Sequence, residues 1–408
     1  MSSFIINGGK RLNGKIEVSG SKNAALPIIF ATVVTRGVSK IVGLPDIIDV
    51  KVALEIIKGF GAVVYREGGA VCINTEELEY RIPDERLVSK IRASSYLIGA
   101  CLARFGRAHL SALGGCNFDN RPIDMHLCAA QSLGATCNGA ELRGKTLHGS
   151  DITFKKISVG ATVNAILMAT RAKGKTRIFG YAREPHVLSL VDFLRGTGAR
   201  ISTLDAYIEI EGSSDLHGSS ATVIPDMIEA GTYAALSLAT DSELRISGID
   251  REDLSSFFDA LVSGGAILLF SGDTVLPRGR IDEFLAVSTA PHPRFPTDLQ
   301  PIMAPLLASF CGGRLTENVW LSRFGYLAQL SEFGVKYSQS GNSAIIYPSV
   351  FRHATAYAPD LRGGAALLIA ALKAEGESRI DSAEVIKRGY ENIVDKLCSV
   401  GAQIMEIN

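Results

Sequence analysis

The sequence predicts an α/β protein of two domains, each made of three copies of one unit whose helices pack inside a shell of small sheets. Three observations predict it. A turn of glycine followed by alanine or valine recurs at Gly61, Gly134, Gly198, Gly265, Gly334 and Gly401, at intervals of 73, 64, 67, 69 and 67 residues. Before each turn comes the same succession of apolar helix pattern, short strand pattern and second helix pattern. A period this long is one βαβ-type supersecondary unit, and six copies in 408 residues exceed what one core holds. Finally, several helix patterns are apolar nearly all round, as in Ala365-Ala366-Leu367-Leu368-Ile369-Ala370-Ala371, and such helices belong inside.

Taken in order, apolar spacing of three and four residues places helices over 24–35, 47–59, 89–103, 125–133, 162–172, 186–195, 231–239, 253–262, 299–310, 323–332, 364–374 and 388–400. These are two per repeat. The intervening strands alternate apolar and polar residues, as in Lys15-Ile16-Glu17-Val18, Arg107-Ala108-His109-Leu110, Lys175-Thr176-Arg177-Ile178, Ile208-Glu209-Ile210, Glu243-Leu244-Arg245-Ile246 and Glu377-Ser378-Arg379-Ile380. No stretch reads as a linker or a low-complexity tail.

Composition narrows the function. Forty-seven per cent apolar and 21 per cent charged residues suit a soluble globular chain, and 42 basic residues balance 42 acidic ones. That neutrality speaks against a nucleic-acid or membrane-surface partner. The longest apolar runs, such as 25–34, are about half of what a bilayer needs. The seven cysteines form no Cys-x-x-Cys pair, and the N-terminus has no basic segment followed by an apolar one. A cytoplasmic protein without a secretory signal is expected.

Three clusters and one proline-rich turn carry possible chemistry. Ser19-Gly20-Ser21-Lys22-Asn23-Ala24 opens a helix whose free N–H groups, with a lysine, suit an anion. Alone it reads first as a capped helix with a solvated lysine. Gly114-Gly115-Cys116 followed by Arg121 describes a loop presenting a thiol beside a cation. The other cysteines, Cys72, Cys101, Cys128, Cys137, Cys311 and Cys398, fall in or beside strand and helix patterns and read as small buried apolar side chains. Arg92, Arg323, Arg362 and Arg388 punctuate apolar stretches, and arginine is rarely buried without an anion. Each alone reads as a surface ion pair. Finally, the proline-rich turn 291–296 delivers Thr297-Asp298 to a helix start, where either could simply cap.

Together these segments resemble one family. Ser19-Gly20-x-Lys22-Asn23-Ala24-Ala25-Leu26-Pro27, Arg92-Ala93-Ser94, Gly114-Gly115-Cys116, Arg121-Pro122-x-Asp124, Ser158-Val159-Gly160-Ala161-Thr162, Arg183-Glu184-Pro185, Phe295-Pro296-Thr297-Asp298, Asp360-Leu361-Arg362 and Arg388-Gly389-Tyr390-Glu391 look like those of the UDP-N-acetylglucosamine 1-carboxyvinyltransferases, over essentially the whole chain. The shikimate-3-phosphate enolpyruvyl transferases share the six-unit fold but not the Gly-Gly-Cys loop. The resemblance implies a two-domain inside-out α/β barrel, with residues 22–226 forming the catalytic-loop domain and 1–21 with 227–408 the second. It places the active site in the interdomain cleft.

The resemblance also implies an activity, transfer of the enolpyruvyl group of phosphoenolpyruvate to the 3-hydroxyl of UDP-N-acetylglucosamine, with phosphate released. Lys22, Arg121 and Arg388 match phosphate binding, Arg323 and Arg362 the carboxylate side, and Arg92 the same cationic pocket. Cys116 matches the residue that protonates the methylene carbon or forms a covalent phospholactoyl adduct, and that fosfomycin alkylates. Asp298 would take the hydroxyl proton or orient the sugar. Asn23 would bond the sugar side, Asp49 is a further carboxylate, Val319 lines the sugar, and Arg121, Pro122, Ile123, Asp124, Met125 and His126 with Lys156, Ser158, Val159 and Gly160 hold the UDP part. No metal or cofactor is implied, since arginine and lysine supply the positive charge. A monomer is expected.

The chain departs from the family pattern in four places. Val385 and Lys387 stand where His-x-Asp is usual before Arg388, Met227 follows Pro225-Asp226 in place of arginine, His186 replaces an acid, and Asp119 stands where a loop glycine is usual. Lys387 should make its surroundings more cationic. The departures leave open a different nucleotide acceptor, or a UDP-sugar-binding regulator without turnover.

Overall fold

The computed structural model describes residues 2–110 and 123–407, which divide into two compact units. The first comprises residues 20–110 and 123–224, the second 2–19 and 225–407. Each has its own apolar core. The boundaries are held by hydrogen bonds inside each unit: Ser21 N donates to Ile224 O in the first, and Asp226 N to Ser19 O in the second.

Each of the six repeats supplies an inner helix, an outer helix and a small sheet. The inner helices are Lys22–Ala31, Leu97–Phe105 and Val159–Ala169 in the first unit, and Met227–Ala239, Gln300–Ala308 and Leu361–Lys373 in the second. They are buried nearly all round, as their composition demands: every residue from Ile228 to Ala239 is buried, and so is every residue from Leu361 to Leu372. The outer helices bury one stripe. Ile48–Lys58 does so through Val52, Ala53, Ile56 and Ile57, at the three- and four-residue spacing of one helix face.

Five of the sheets share one plan. The strand that follows the inner helix has a parallel neighbour on one side and an antiparallel neighbour on the other. Lys175–Phe179, for example, lies between Asp151–Thr153 and Tyr207–Glu211. In the second repeat, among the described residues, Arg107–His109 has only the antiparallel neighbour Glu141–Arg143. In the last repeat the antiparallel place is taken by the N-terminal strand Ser3–Gly8, which sits between Gly376–Asp381 and Gln403–Ile407. Phe4 and Ile6 on that strand are fully buried in the second core.

The six turn glycines all adopt positive φ, from 88° at Gly334 to 106° at Gly265. Each ends an outer helix and reverses the chain into a strand, a conformation that a Cβ disfavours. This is the physical reason for the repeat seen in the sequence.

Helix ends differ from the apolar pattern where capping decides them. Asp226 and Asp360 accept hydrogen bonds from the first-turn N–H groups and start their helices at Met227 and Leu361, ahead of the apolar runs. The segment 388–400 is not one helix. A 3₁₀ turn, Ala383–Arg388, is separated by a left-handed Asn392 (φ 47°) from the helix Ile393–Ser399. Residues 92–96 are likewise 3₁₀ rather than α. Among the described residues no helix is long and apolar enough to cross a membrane.

Candidate active site

In the second unit the chemistry gathers around Asp298. It lies in a 3₁₀ turn, Thr297–Leu299, leading into the inner helix Gln300–Ala308. Arg323 Nη1 donates to Asp298 Oδ1 at 2.8 Å, and Arg362 donates to Oδ2 through Nε at 3.2 Å and Nη2 at 3.1 Å. The two arginine side chains are 4% and 1% exposed, whereas the acid keeps 27%. A carboxylate that keeps part of its surface exposed is thus held by two buried cations.

The surrounding groups fix those cations. Thr297 Oγ1 accepts from Arg323 Nη1 at 3.0 Å and donates to Glu317 Oε2 at 2.9 Å. Glu317 is fully buried, and its Oε1 accepts from Thr289 Oγ1 and the N–H groups of Val319 and Trp320. Asp360 caps the helix that carries Arg362 by accepting from Arg362 N and Gly363 N, each at 3.0 Å. The Tyr390 ring lies 5.3 Å from the Arg362 guanidinium. Burial alone would depress both arginines. Asp298, Asp360 and Glu317 instead hold Arg323 above its ordinary value, as Tyr390, Asp298 and Asp226 do Arg362.

In the first unit two places carry predicted residues. Lys22 is the first residue of its helix, with Ser21 Oγ accepting from Ala24 N as the cap. Its Nζ lies 3.9 Å from Asp49 Oδ2, a buried carboxylate in the first turn of Ile48–Lys58. Asn23 is half-buried beside it. Gly20 is obligatory there, since a Cβ would lie 1.9 Å from Gly43 O.

The second place is built on Asn164, fully buried in the inner helix Val159–Ala169. Gly99 N donates to its Oδ1, which fixes the amide, and its Nδ2 faces Ser95 O, Gly160 O and, at 2.7 Å, His126 Nδ1. His126 therefore accepts at Nδ1 and carries its proton on Nε2. Burial, and then the Arg92 cation, push the His126 imidazole down to about 4 against the opposing pull of Asp124. Gly160 packs so closely that a Cβ would lie 2.9 Å from His126 Cε1. Ser158 caps this helix by accepting from Ala161 N. Val159, Ile123 and Met125 pack against the core, whereas Asp124 and Lys156 are exposed.

Cys116, Arg121 and Pro122 lie outside the described residues, as does the departure at Asp119. Arg388 ends the turn Ala383–Arg388 and is half-buried. Two sequence expectations are corrected. Lys387 does not add free positive charge beside Arg388, because its Nζ pairs with both carboxylate oxygens of Glu406, at 3.0 and 2.9 Å. Of the six cysteines read as buried, only Cys72 and Cys101 are so; Cys128, Cys137, Cys311 and Cys398 are exposed. Cys128 and Cys398 sit on outer helices, which have a solvent face. Asn164, Glu229 and Glu317 were not singled out in the sequence, although the first is the one amide and the second the one charged residue of an otherwise uncharged helix, and so carried a signal.

The family profile of EPSP synthase (3-phosphoshikimate 1-carboxyvinyltransferase) matches residues 6–397. The chain belongs to this family, whose enzymes are transferases. Within it, the chain is 40% identical to the UDP-N-acetylglucosamine 1-carboxyvinyltransferase of Halothermothrix orenii, over 100% of both chains. It is 39% identical to UDP-N-acetylglucosamine 1-carboxyvinyltransferase 3 of Caldanaerobacter subterraneus subsp. tengcongensis, again over 100% of both. Among solved structures it resembles the enolpyruvyl transferase NikO from Streptomyces tendae, with TM-score 0.89 and 26% identity over 99% of this chain and 98% of the other.

Proposed function

We propose that the protein transfers the enolpyruvyl group of phosphoenolpyruvate to the 3-hydroxyl of UDP-N-acetylglucosamine, in the cytoplasm, for peptidoglycan precursor synthesis. The observation that carries the reading is Asp298, partly exposed, with both oxygens fixed by the buried Arg323 and Arg362. The full-length likeness to UDP-N-acetylglucosamine transferases supports the acceptor.

In the reaction the sugar O3 bonds to C2 of phosphoenolpyruvate while its proton passes to Asp298. The methylene carbon C3 takes a proton, which Cys116 supplies. The C2–O bond to phosphate then breaks, phosphate leaves with that electron pair, and C3 gives its proton back as the double bond re-forms. The hydroxyl proton ends on phosphate. Lys22, Arg121 and Arg388 would neutralise the departing phosphate, which a neutral protein can do only by local concentration of cations. Ser158, Val159 and Gly160, at a capped helix start, offer N–H groups to the diphosphate.

The test is phosphate release from phosphoenolpyruvate with UDP-N-acetylglucosamine, UMP or shikimate 3-phosphate as acceptor. Release with the UDP-sugar alone is expected; preference for either other acceptor overturns the reading. Fosfomycin should label Cys116 and abolish turnover, and mass spectrometry showing the adduct on another cysteine would remove Cys116 from the mechanism.

A further inference from the structure

A second buried charge network lies in the second unit, outside the groups that face Asp298. Glu229, 1% exposed, stands in the first turn of Met227–Ala239, three residues after the cap Asp226. In an Asp-x-x-Glu start the glutamate ordinarily returns to the N–H of the cap residue. Here Asp226 N donates instead to Ser19 O, and the glutamate is used elsewhere. Its Oε2 accepts from Ser19 N at 2.8 Å, and its Oε1 from Lys396 Nζ at 2.7 Å and Tyr233 Oη at 3.0 Å. Lys396 Nζ also donates to Ser19 Oγ at 2.6 Å, and Ser19 Oγ donates to Glu391 Oε2 at 2.6 Å.

These bonds converge on one short segment. Arg388 is followed by Gly389, where a Cβ would lie 2.6 Å from Leu361 Cδ2, and by Tyr390, whose hydroxyl meets Thr232 Oγ1 at 2.8 Å. Glu391 reaches Ser19, Asn392 turns left-handed, and Lys396 lies on the next helix. Glu229 and Thr232 are three apart, on one face of the inner helix. That face therefore grips the chain just after Arg388 at two points, once through Tyr390 and once through Lys396, with Ser19 as the link to Glu391.

We propose that Glu229 and Lys396, acting through Ser19 and Glu391, are positioning residues for Arg388, and so set the affinity for phosphoenolpyruvate rather than for the UDP-sugar. The inference rests on the reading of Arg388 as a phosphate ligand. A fully buried carboxylate is costly unless paired and hydrogen-bonded, and a site that serves packing alone would be filled as well by apolar side chains. The network is instead spent on the segment that follows the strand Asn13–Glu17 and on the chain just after the turn that carries Arg388.

The test compares steady-state constants for the native protein with those of Glu229→Gln, Lys396→Met and Ser19→Ala, with thermal melting as a check of folding. KM for phosphoenolpyruvate should rise about tenfold in the first two, with KM for UDP-N-acetylglucosamine unchanged within about twofold. Lys396→Arg should recover part of the loss. Folded variants with native KM for phosphoenolpyruvate, or with both constants shifted alike, overturn the inference. If the first two variants do not fold, Ser19→Ala decides: it removes only the hydroxyl between Lys396 and Glu391, and an unchanged phosphoenolpyruvate KM overturns the inference. Arg388→Ala separates the two readings, because a phosphoenolpyruvate KM that does not move there removes Arg388 as ligand while native turnover still stands.

Discussion

Asp298 is one of three anions, with Asp360 and Glu317, that offset the charge on Arg323. Asp298→Asn keeps its size but leaves two buried guanidiniums with one anion fewer, so two losses should appear together. Turnover should fall on the order of a hundredfold or more if the carboxylate takes the hydroxyl proton, and stability should fall by about 3 kcal/mol because a buried pair has lost one partner. Turnover assays with denaturant melts check both, and near-native turnover would remove Asp298 from the chemistry. His126 gives a pH prediction. Its imidazole is pushed from 6.5 to about 4, so on acidification the unfolded chain binds the proton first. The contribution of about 3 kcal/mol is present above pH 6.5 and is lost as pH falls towards 4. His126→Gln should flatten the stability profile in that window; an identical slope for native and variant would contradict it. At this scale the sequence was partly legible. Arg323 and Arg362 drew notice as arginines among apolar residues and Asp298 as the acid after a proline-rich turn, but alone they read as surface ion pairs and a cap, and only the family resemblance joined them; which acid pairs with which arginine depends on three separated segments and could not be read from spacing.

The repeat glycines were the most legible elements, since positive φ leaves a residue-specific mark at a fixed place in each repeat. Gly401 isolates that effect: its φ is 101° and a Cβ would meet nothing within 4 Å. Gly401→Ala should therefore cost about 1–2 kcal/mol through backbone conformation alone, measurable by chemical denaturation, and a neutral result would mean that the turn relaxes freely. Gly20→Ala, by contrast, meets a carbonyl and should be far more damaging. Helix starts were less legible. Asp226 and Asp360 are ordinary caps by sequence, yet apolar periodicity begins only beyond them, so a reading by pattern starts both helices late. The break at Asn392 escaped because its neighbours Ile393 and Leu397 continue the apolar spacing of a helix.

At the scale of the whole chain, the described residues of the first unit, 20–110 and 123–224, come from the middle of the sequence, whereas those of the second, 2–19 and 225–407, flank them on both sides. A fragment of residues 20–224 should therefore fold cooperatively by itself. Residues 225–408 alone should not, because the slot between Gly376–Asp381 and Gln403–Ile407 would lack Phe4 and Ile6; adding a peptide of residues 1–19 should restore it. Circular dichroism on the three samples checks this, and a stable 225–408 fragment would refute it. The same strand pairing sets an order of assembly during synthesis. Ser3–Gly8 leaves the ribosome before the whole of the first unit, and its partners Gly376–Asp381 and Gln403–Ile407 leave after it. The apolar strand Ser3–Gly8 must thus wait for its partners through the making of the whole first unit, and only when Gln403–Ile407 has followed can it close the second.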